Sequence, residues 1–184
     1  MMKEIRIGFS NSDTPDSVIT DLMQIEQNVY SPEYRGEYHA IKSRFDKYKD
    51  MFILAYDKDR IIGYLCYFPI TKSLHDSILC EAQFHDDDIL PNDVIEMGGS
   101  NHIYLLSIAV YKKYQGMGVG TMLTDAFFDR LRLEKEKGHH IEDIIASVVS
   151  LQGEQIAWKY NFSMIKDLSE IQQYKLFYFN GGNL

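Results

Sequence analysis

The stretch "IYLLSIAVYKKYQGMGVGTMLTDAFFDRL", Ile103 to Leu131, joins an almost wholly apolar run to a helical pattern. Between them stand three glycines at every second position: Gly116, Gly118 and Gly120. Ile103–Val110 reads as a strand covered on both faces. Beyond the glycines, Val119, Met122, Leu123, Ala126, Phe127 and Leu131 recur at helical spacing, which predicts a helix over 118–136. "DIIASVV" (143–149) reads as another buried strand. Strand, helix and strand make a βαβ unit, so 103–110 and 143–149 are parallel or splayed neighbours. Glycine costs up to about 1 kcal/mol per residue where the chain is helical. A turn that binds nothing is therefore a poor explanation for three of them. Their use is to let something approach the backbone closely.

Three phosphate loops are candidates for that approach. A Walker loop needs a Lys after the last glycine, and none is present. A dinucleotide fingerprint fails because its third glycine would fall on Thr121 or Leu123. The remaining pattern is Gln-x-x-Gly-x-Gly, carried by Gln115, Gly118 and Gly120. Successive amides at a helix start, helped by the helix dipole, can hold a pyrophosphate without a cationic side chain.

Outward from this segment the chain reads as one mixed α+β unit. "EIRIGF" (4–9) alternates as a first strand. Thr14 and Pro15 mark a helix start, with Val18, Leu22, Ile25 and Val29 on one face. Ser31 and Pro32 repeat the device for a second helix with an apolar face of Tyr34, Tyr38, Ile41, Phe45 and Tyr48. "MFILAY" (51–56) and "IIGYLCYF" (61–68) form a hairpin around "DKDR", with Pro69 ending the second strand. Residues 71–101 hold a short helix and a long acidic loop. A short helix at 153–160 and the strands "SMIKDL" and "YKLFYF" close the chain.

The chain has 184 residues, 45% of them hydrophobic, enough for a single domain over 1–184 with one covered core. Its formal net charge of −8 argues against a general nucleic-acid binder. The charged N-terminus has no apolar signal core and no run approaches a membrane span, so a cytoplasmic protein without membrane partners is expected. Cys66 and Cys80 are too few for a disulfide scaffold.

Residues 103–131 resemble the acetyl-CoA-binding core of the GCN5-related N-acetyltransferases, the GNAT family. The resemblance rests on the strand ending in Val110, the loop spacing, the glycines and the following helix, and the element order of the whole chain agrees with it. It implies a GNAT fold: α+β, with a central mixed, mostly antiparallel sheet and splayed parallel strands 103–110 and 143–149. It implies acetyl-CoA as co-substrate. The backbone of Ile108, Ala109 and Val110 would pair with pantetheine, and the amides of Gln115, Gly116, Met117, Gly118, Val119, Gly120 and Thr121 would hold the pyrophosphate. Lys112 and Lys113 are candidates for the adenosine 3′-phosphate, with plain surface charge as the alternative.

Acetyl transfer needs a base for the amine, a donor for the oxyanion and an acid for the leaving thiolate. In the family the acid is often a Tyr five residues before the Phe of a Gly-Phe pair. Here Asn161 stands for that Gly, Ala157 for that Tyr, and Ser150 for a frequent Asn. Tyr160 is the nearest hydroxyl and the first candidate acid, with Tyr114 and Ser107 behind it. Glu81, Glu96 and His102 are candidate bases. Tyr30, Tyr34, Tyr38 and Tyr67 are candidate walls of the acceptor pocket. No Lys or Arg occurs from 73 to 111, which suits a cationic amine as acceptor, although a solvated acidic loop explains the charge as well. No metal is expected, since three adjacent Asp at 86–88 cannot face one ion. The expectation is direct acetyl transfer to a small cationic amine, with a protein amine second. The alternative is a weakly active or inactive CoA-binding regulatory module of the same fold. The acyl chain and a homodimeric state stay open.

Overall fold

A computed structural model describes residues 4–80, 84, 86, 89–170 and 173–184. Its strands are β1 (Ile5–Phe9), β2 (Phe52–Asp57), β3 (Arg60–Ile70), β4 (Ser100–Val110), β5 (His140–Val148), β6 (Ser163–Asp167) and β7 (Lys175–Asn180). Its helices are α1 (Ser17–Val29), α2 (Tyr38–Lys47), α3 (Lys72–Cys80), α4 (Val119–Glu136) and α5 (Leu151–Lys159). The strands form one mixed sheet in the order β1-β2-β3-β4-β5-β7-β6. Of the paired strands, β4 and β5 run parallel, from Ser100↔His140 to Leu105↔Ala146. The pairs β1–β2, β2–β3, β5–β7 and β6–β7 are antiparallel. The expected α+β class with a mostly antiparallel mixed sheet is thus observed.

The chain divides into two compact units, 1–66 with 107–127 and 67–106 with 128–184. In the first, Ile19, Leu22 and Ile25 of α1 are buried together with Phe45, Phe52, Ile53 and Leu54. Burying each such side chain contributes about 1.5–3 kcal/mol. Gly63 has a steric task in this unit: a Cβ on it would lie 2.9 Å from the Ala109 carbonyl and 3.3 Å from the Val110 Cα. In the second unit, Ile103, Ile144, Ile145, Leu176 and Phe177 are fully buried.

Several local expectations need correction. Helix α1 begins at Ser17 after an Asp16 N-cap, and Thr14 Oγ1 instead accepts from Asn11 N–H at 2.9 Å. The single helix expected from Ser31 is broken into a 3-10 turn, Pro32–Tyr34, and α2. The break is fixed by side chains: Arg35 Nε donates to the Tyr30 carbonyl (2.9 Å) and the Gly36 amide donates to Glu26 Oε2 (3.2 Å). Tyr38 is accordingly 45% exposed and not on a core face. Strand β3 runs through Pro69 to Ile70, because Pro69 is needed there only as an acceptor, from Ile95 N–H at 3.0 Å. Asn161 sits at φ 61°, a conformation Asn tolerates. Its N–H reaches the Trp158 carbonyl and that of Phe162 the Ala157 carbonyl, closing α5 in a Schellman motif. Asn161 therefore does the backbone work that the family gives to Gly.

On α4 in the second unit, Glu134 is buried and meets Lys137 Nζ (2.8 Å), His139 Nδ1 (2.8 Å) and Arg130 Nε (3.4 Å). Burial works against its charge, but these partners outweigh burial and hold its pKa below the ordinary value. A depressed pKa gives stability that is present above the ordinary carboxylate value and lost as pH falls. Glu134→Gln should be less stable than the wild type near neutral pH. In urea denaturation the difference should shrink as pH falls below the ordinary carboxylate value.

Candidate functional site

Strand β4 delivers the chain into the glycine loop, and the loop is tied down at each step. Tyr111 N–H donates to the Ile62 carbonyl (2.9 Å) and Lys112 N–H to Asn28 Oδ1 (2.9 Å). Tyr114 is buried, and its hydroxyl donates to Asp57 Oδ2 at 2.6 Å. That bond to Asp57 raises the tyrosine pKa. Tyr114 is thus a structural tie between the loop and the β2–β3 hairpin. Gln115 turns its side chain back, and Nε2 donates to the Val110 carbonyl at 3.0 Å. Gly116 and Gly118 adopt φ +76° and +82°, and a Cβ on either would meet nothing within 4 Å. Both features suit a ligand over the backbone: L side chains rarely adopt this conformation, and the space beside it is open. Helix α4 follows at Val119, where the first amides of a helix have no partner within it. Val119 itself is buried and offers only its backbone, whereas Met117 is 47% exposed. Gly120 and Thr121 lie in the first turn of α4. Lys112 and Lys113 are exposed, and Lys113 Nζ lies 5.0 Å from the Tyr114 ring centroid.

A chain of hydroxyls, absent from the sequence reading as a group, runs beside the end of β4. Tyr30 donates to the Ile108 carbonyl at 3.1 Å and lies 3.3 Å from Ser107 Oγ. Ser107 Oγ donates to the Tyr64 hydroxyl at 3.2 Å, and Tyr64 donates to Glu26 Oε1. Tyr30 and Ser107 are half-buried, while Tyr64 and Glu26 are each 3% exposed. Burial, reinforced by the Glu26 charge, pushes the Tyr64 pKa well above its usual value. Tyr64 therefore stays protonated and serves as a donor. Glu26 occupies the buried stripe of α1 one residue after Ile25. An acid on such a stripe was the one signal in the sequence that pointed here.

The other expected residues have different surroundings. Tyr160 is the C-cap of α5 and stacks on Phe128, with centroids 5.3 Å apart and planes 9° apart. Ser150 is the N-cap of α5 and accepts from Gly153 N–H at 3.1 Å. Glu96 is exposed in the segment before β4. Glu81 lies outside the described residues. His102 Nδ1 is 3.0 Å from Asp143 Oδ1. His75 belongs to the same group. Burial works against its imidazolium, but the carboxylates of Asp143 and Asp76 prevail and raise its pKa. Burial likewise opposes the Asp143 charge, and His75 and His102 more than offset it.

The GNAT acetyltransferase family model matches residues 17–142, which include the glycine loop. The chain belongs to the GNAT family. GNAT folds surround it among solved structures. The loading GNATL domain of CurA from Lyngbya majuscula is 14% identical over 98% of this chain and 99% of that one, with a TM-score of 0.73. A GNAT-like decarboxylase, GphF, in complex with isobutyryl-CoA gives 12% identity, coverage of 96% and 99%, and a TM-score of 0.69. The PaiA N-acetyltransferase from Thermoplasma acidophilum in complex with coenzyme A gives 15%, 96% and 99%, and 0.59. At these identities the likeness establishes the fold. No curated protein matches the sequence. Among the described residues, no helix is long and apolar enough to cross a membrane.

The buried Glu26 carboxylate predicts a measurable cost for cutting the hydroxyl chain. Tyr64→Phe should lower stability by about 1–3 kcal/mol, the usual penalty for leaving a buried acceptor short of a donor. The urea midpoint reads this directly.

Proposed function

We propose that the protein is an acetyl-CoA-dependent N-acetyltransferase that transfers acetyl directly to a primary amine, with a small cationic amine as first choice. The observation that carries the donor is the open, positive-φ pair Gly116 and Gly118 at the start of α4. The amides from Gln115 to Thr121 hold the pyrophosphate, and the backbone of Ile108, Ala109 and Val110 holds the pantetheine arm. The carbonyls of Ile108 and Val110 already accept from Tyr30 and Gln115, and each keeps a second lone pair. Acetyl-CoA supplies a thioester carbonyl. The amine nitrogen bonds to that carbon, the carbon–sulfur bond breaks, and the products are an amide and the free thiol. The stretch from 73 to 111 without Lys or Arg favours a cationic acceptor.

The amine must shed a proton before attack. The Tyr30 and Ser107 hydroxyls form the accessible end of a relay, and Tyr64 passes the proton to Glu26. Glu26 acts through Tyr64 and touches no substrate.

Two experiments test this reading. At 100 times its Kd, CoA should stabilise the wild type by about 2.7 kcal/mol. Gly118→Asp tolerates the backbone conformation but places a carboxylate in the cradle, and it should abolish the stabilisation. Gly118→Asn, the control for strain, should keep most of it. Undiminished stabilisation of Gly118→Asp would remove the phosphate cradle from the argument. CoA release should then be followed across polyamines, aminoglycosides, amino acids and peptides. Tight binding with no turnover on any of them would favour the CoA-binding regulatory module.

For the relay, Glu26→Gln should lower kcat by about 100-fold or more, within the range for a general base, with KM little changed. It should also flatten the acidic limb of the pH–rate profile. An unaltered profile would leave Glu26 a structural acid.

A further inference from the structure

His75 on α3, His102 on β4 and Asp143 on β5 belong to one compact unit and converge from three rigid elements. We propose that these three side chains form a binding site for a divalent transition metal of the zinc class. Each offers one ligand atom, and these atoms all lie within 4.8 Å of one another. His75 Nε2 is 3.1 Å from Asp143 Oδ2, and His102 Nδ1 is 3.0 Å from Asp143 Oδ1. Ligands about 2.0–2.1 Å from a tetrahedral zinc stand roughly 3.3 Å apart, so the separations to Asp143 are close to those a shared ion would set. Two imidazoles and one carboxylate suit zinc and leave a fourth position for water.

The second observation concerns His75 itself. Its side chain is 7% exposed, yet Nε2 has no hydrogen-bond partner among the described residues, despite the nearby Asp143 oxygen. A proton shared by these two atoms would have to lie close to the line between them. A metal does not, because the nitrogen lone pair points at the ion and the carboxylate reaches it from another side. The other nitrogen of the ring, Nδ1, is 3.1 Å from Asp76 Oδ1. Metal-bound histidines commonly donate their second N–H to a carboxylate in this way, which fixes the tautomer that leaves Nε2 free to ligate. The His75 and His102 rings stack with centroids 3.9 Å apart and planes 23° apart. Sharing an ion therefore requires the two rings to turn out of the stack until both nitrogen lone pairs, which lie in the ring planes, converge on it.

The test uses the full chain, dialysed against chelator and then titrated with Co2+ as a spectroscopic probe. The expected result is about one equivalent bound, with visible d–d bands of a site of low coordination number, displaced by stoichiometric Zn2+. Asp143→Asn and His75→Ala should each weaken Zn2+ binding by at least about tenfold, the scale at which even outer partners of a metal site matter. Circular dichroism checks that they fold. Should a variant fail to fold, the wild type decides alone: its melting temperature should rise with Zn2+ and fall back on chelation. An absence of bands together with an unchanged melting temperature would overturn the proposal. A Co2+ spectrum retained in folded Asp143→Asn would overturn it equally, since the ion would then sit elsewhere.

Discussion

A carboxylate taken out of water has to be met by donors, and Glu26 imposes that condition on the first compact unit. Its two oxygens reach the Gly36 amide and the Tyr64 hydroxyl. The first bond holds the break between the 3-10 turn and α2. The second ties α1 to β3, and Ser107 extends it to β4. Loss of one partner from a buried acid typically costs more than the bond itself contributes, because the remaining charge stays desolvated. The path of the chain from α1 into α2 thus rests on this acid, placed among Leu22 and Ile25, together with the Arg35 bond to the Tyr30 carbonyl. The same acid holds the hydroxyls beside Ile108 in register.

The second unit meets the same condition twice with different chemistry. Glu134 gathers a cation from one turn before it on α4 and two groups from the residues that follow. Its partners are close in sequence, so the cluster is local. Asp143 draws on His75 and His102, which come from separate elements. The local cluster stabilises a helix end, whereas the convergence of three rigid elements holds side chains that can act as ligands in a defined arrangement. That difference in sequence separation distinguishes an ordinary ion pair from a candidate site here.

The backbone-borne features were legible in the sequence and most of the side-chain chemistry was not. Gly116 and Gly118 announce themselves because positive φ is a property of the residue and its neighbours. The strand before them and the helix after them show their own periodicity. His75 and Asp143 are 68 residues apart, and nothing in either local pattern marks them as neighbours. Tyr64 is one more bulky residue in a strand buried from Ile61 onward until the fold puts Ser107 and Glu26 beside it. The start of the second helix is hidden for a similar reason. Its apolar spacing continues across Arg35 and Gly36, while the contacts that stop it come from Tyr30 and Glu26.

Ala157 and Asn161 bear on the proton balance of the proposed transfer. Asn161 preserves the helix end that Gly would make, and the Ala157 carbonyl takes part in the same motif. The geometry of α5 is kept although position 157 carries no hydroxyl. Glu26 is 3% exposed, so a proton delivered to it leaves most readily by the path it entered. A relay of that kind cannot act as a base for repeated turnovers unless it is discharged. The thiolate formed in the same reaction is the natural acceptor, because its protonation completes the release of CoA. The proton first taken from the ammonium can then be returned to sulfur through Tyr64 and Ser107, while the second nitrogen proton, lost as the amide forms, leaves to solvent. One hydroxyl chain would serve as base and then as acid, and a tyrosine at position 157 would be redundant.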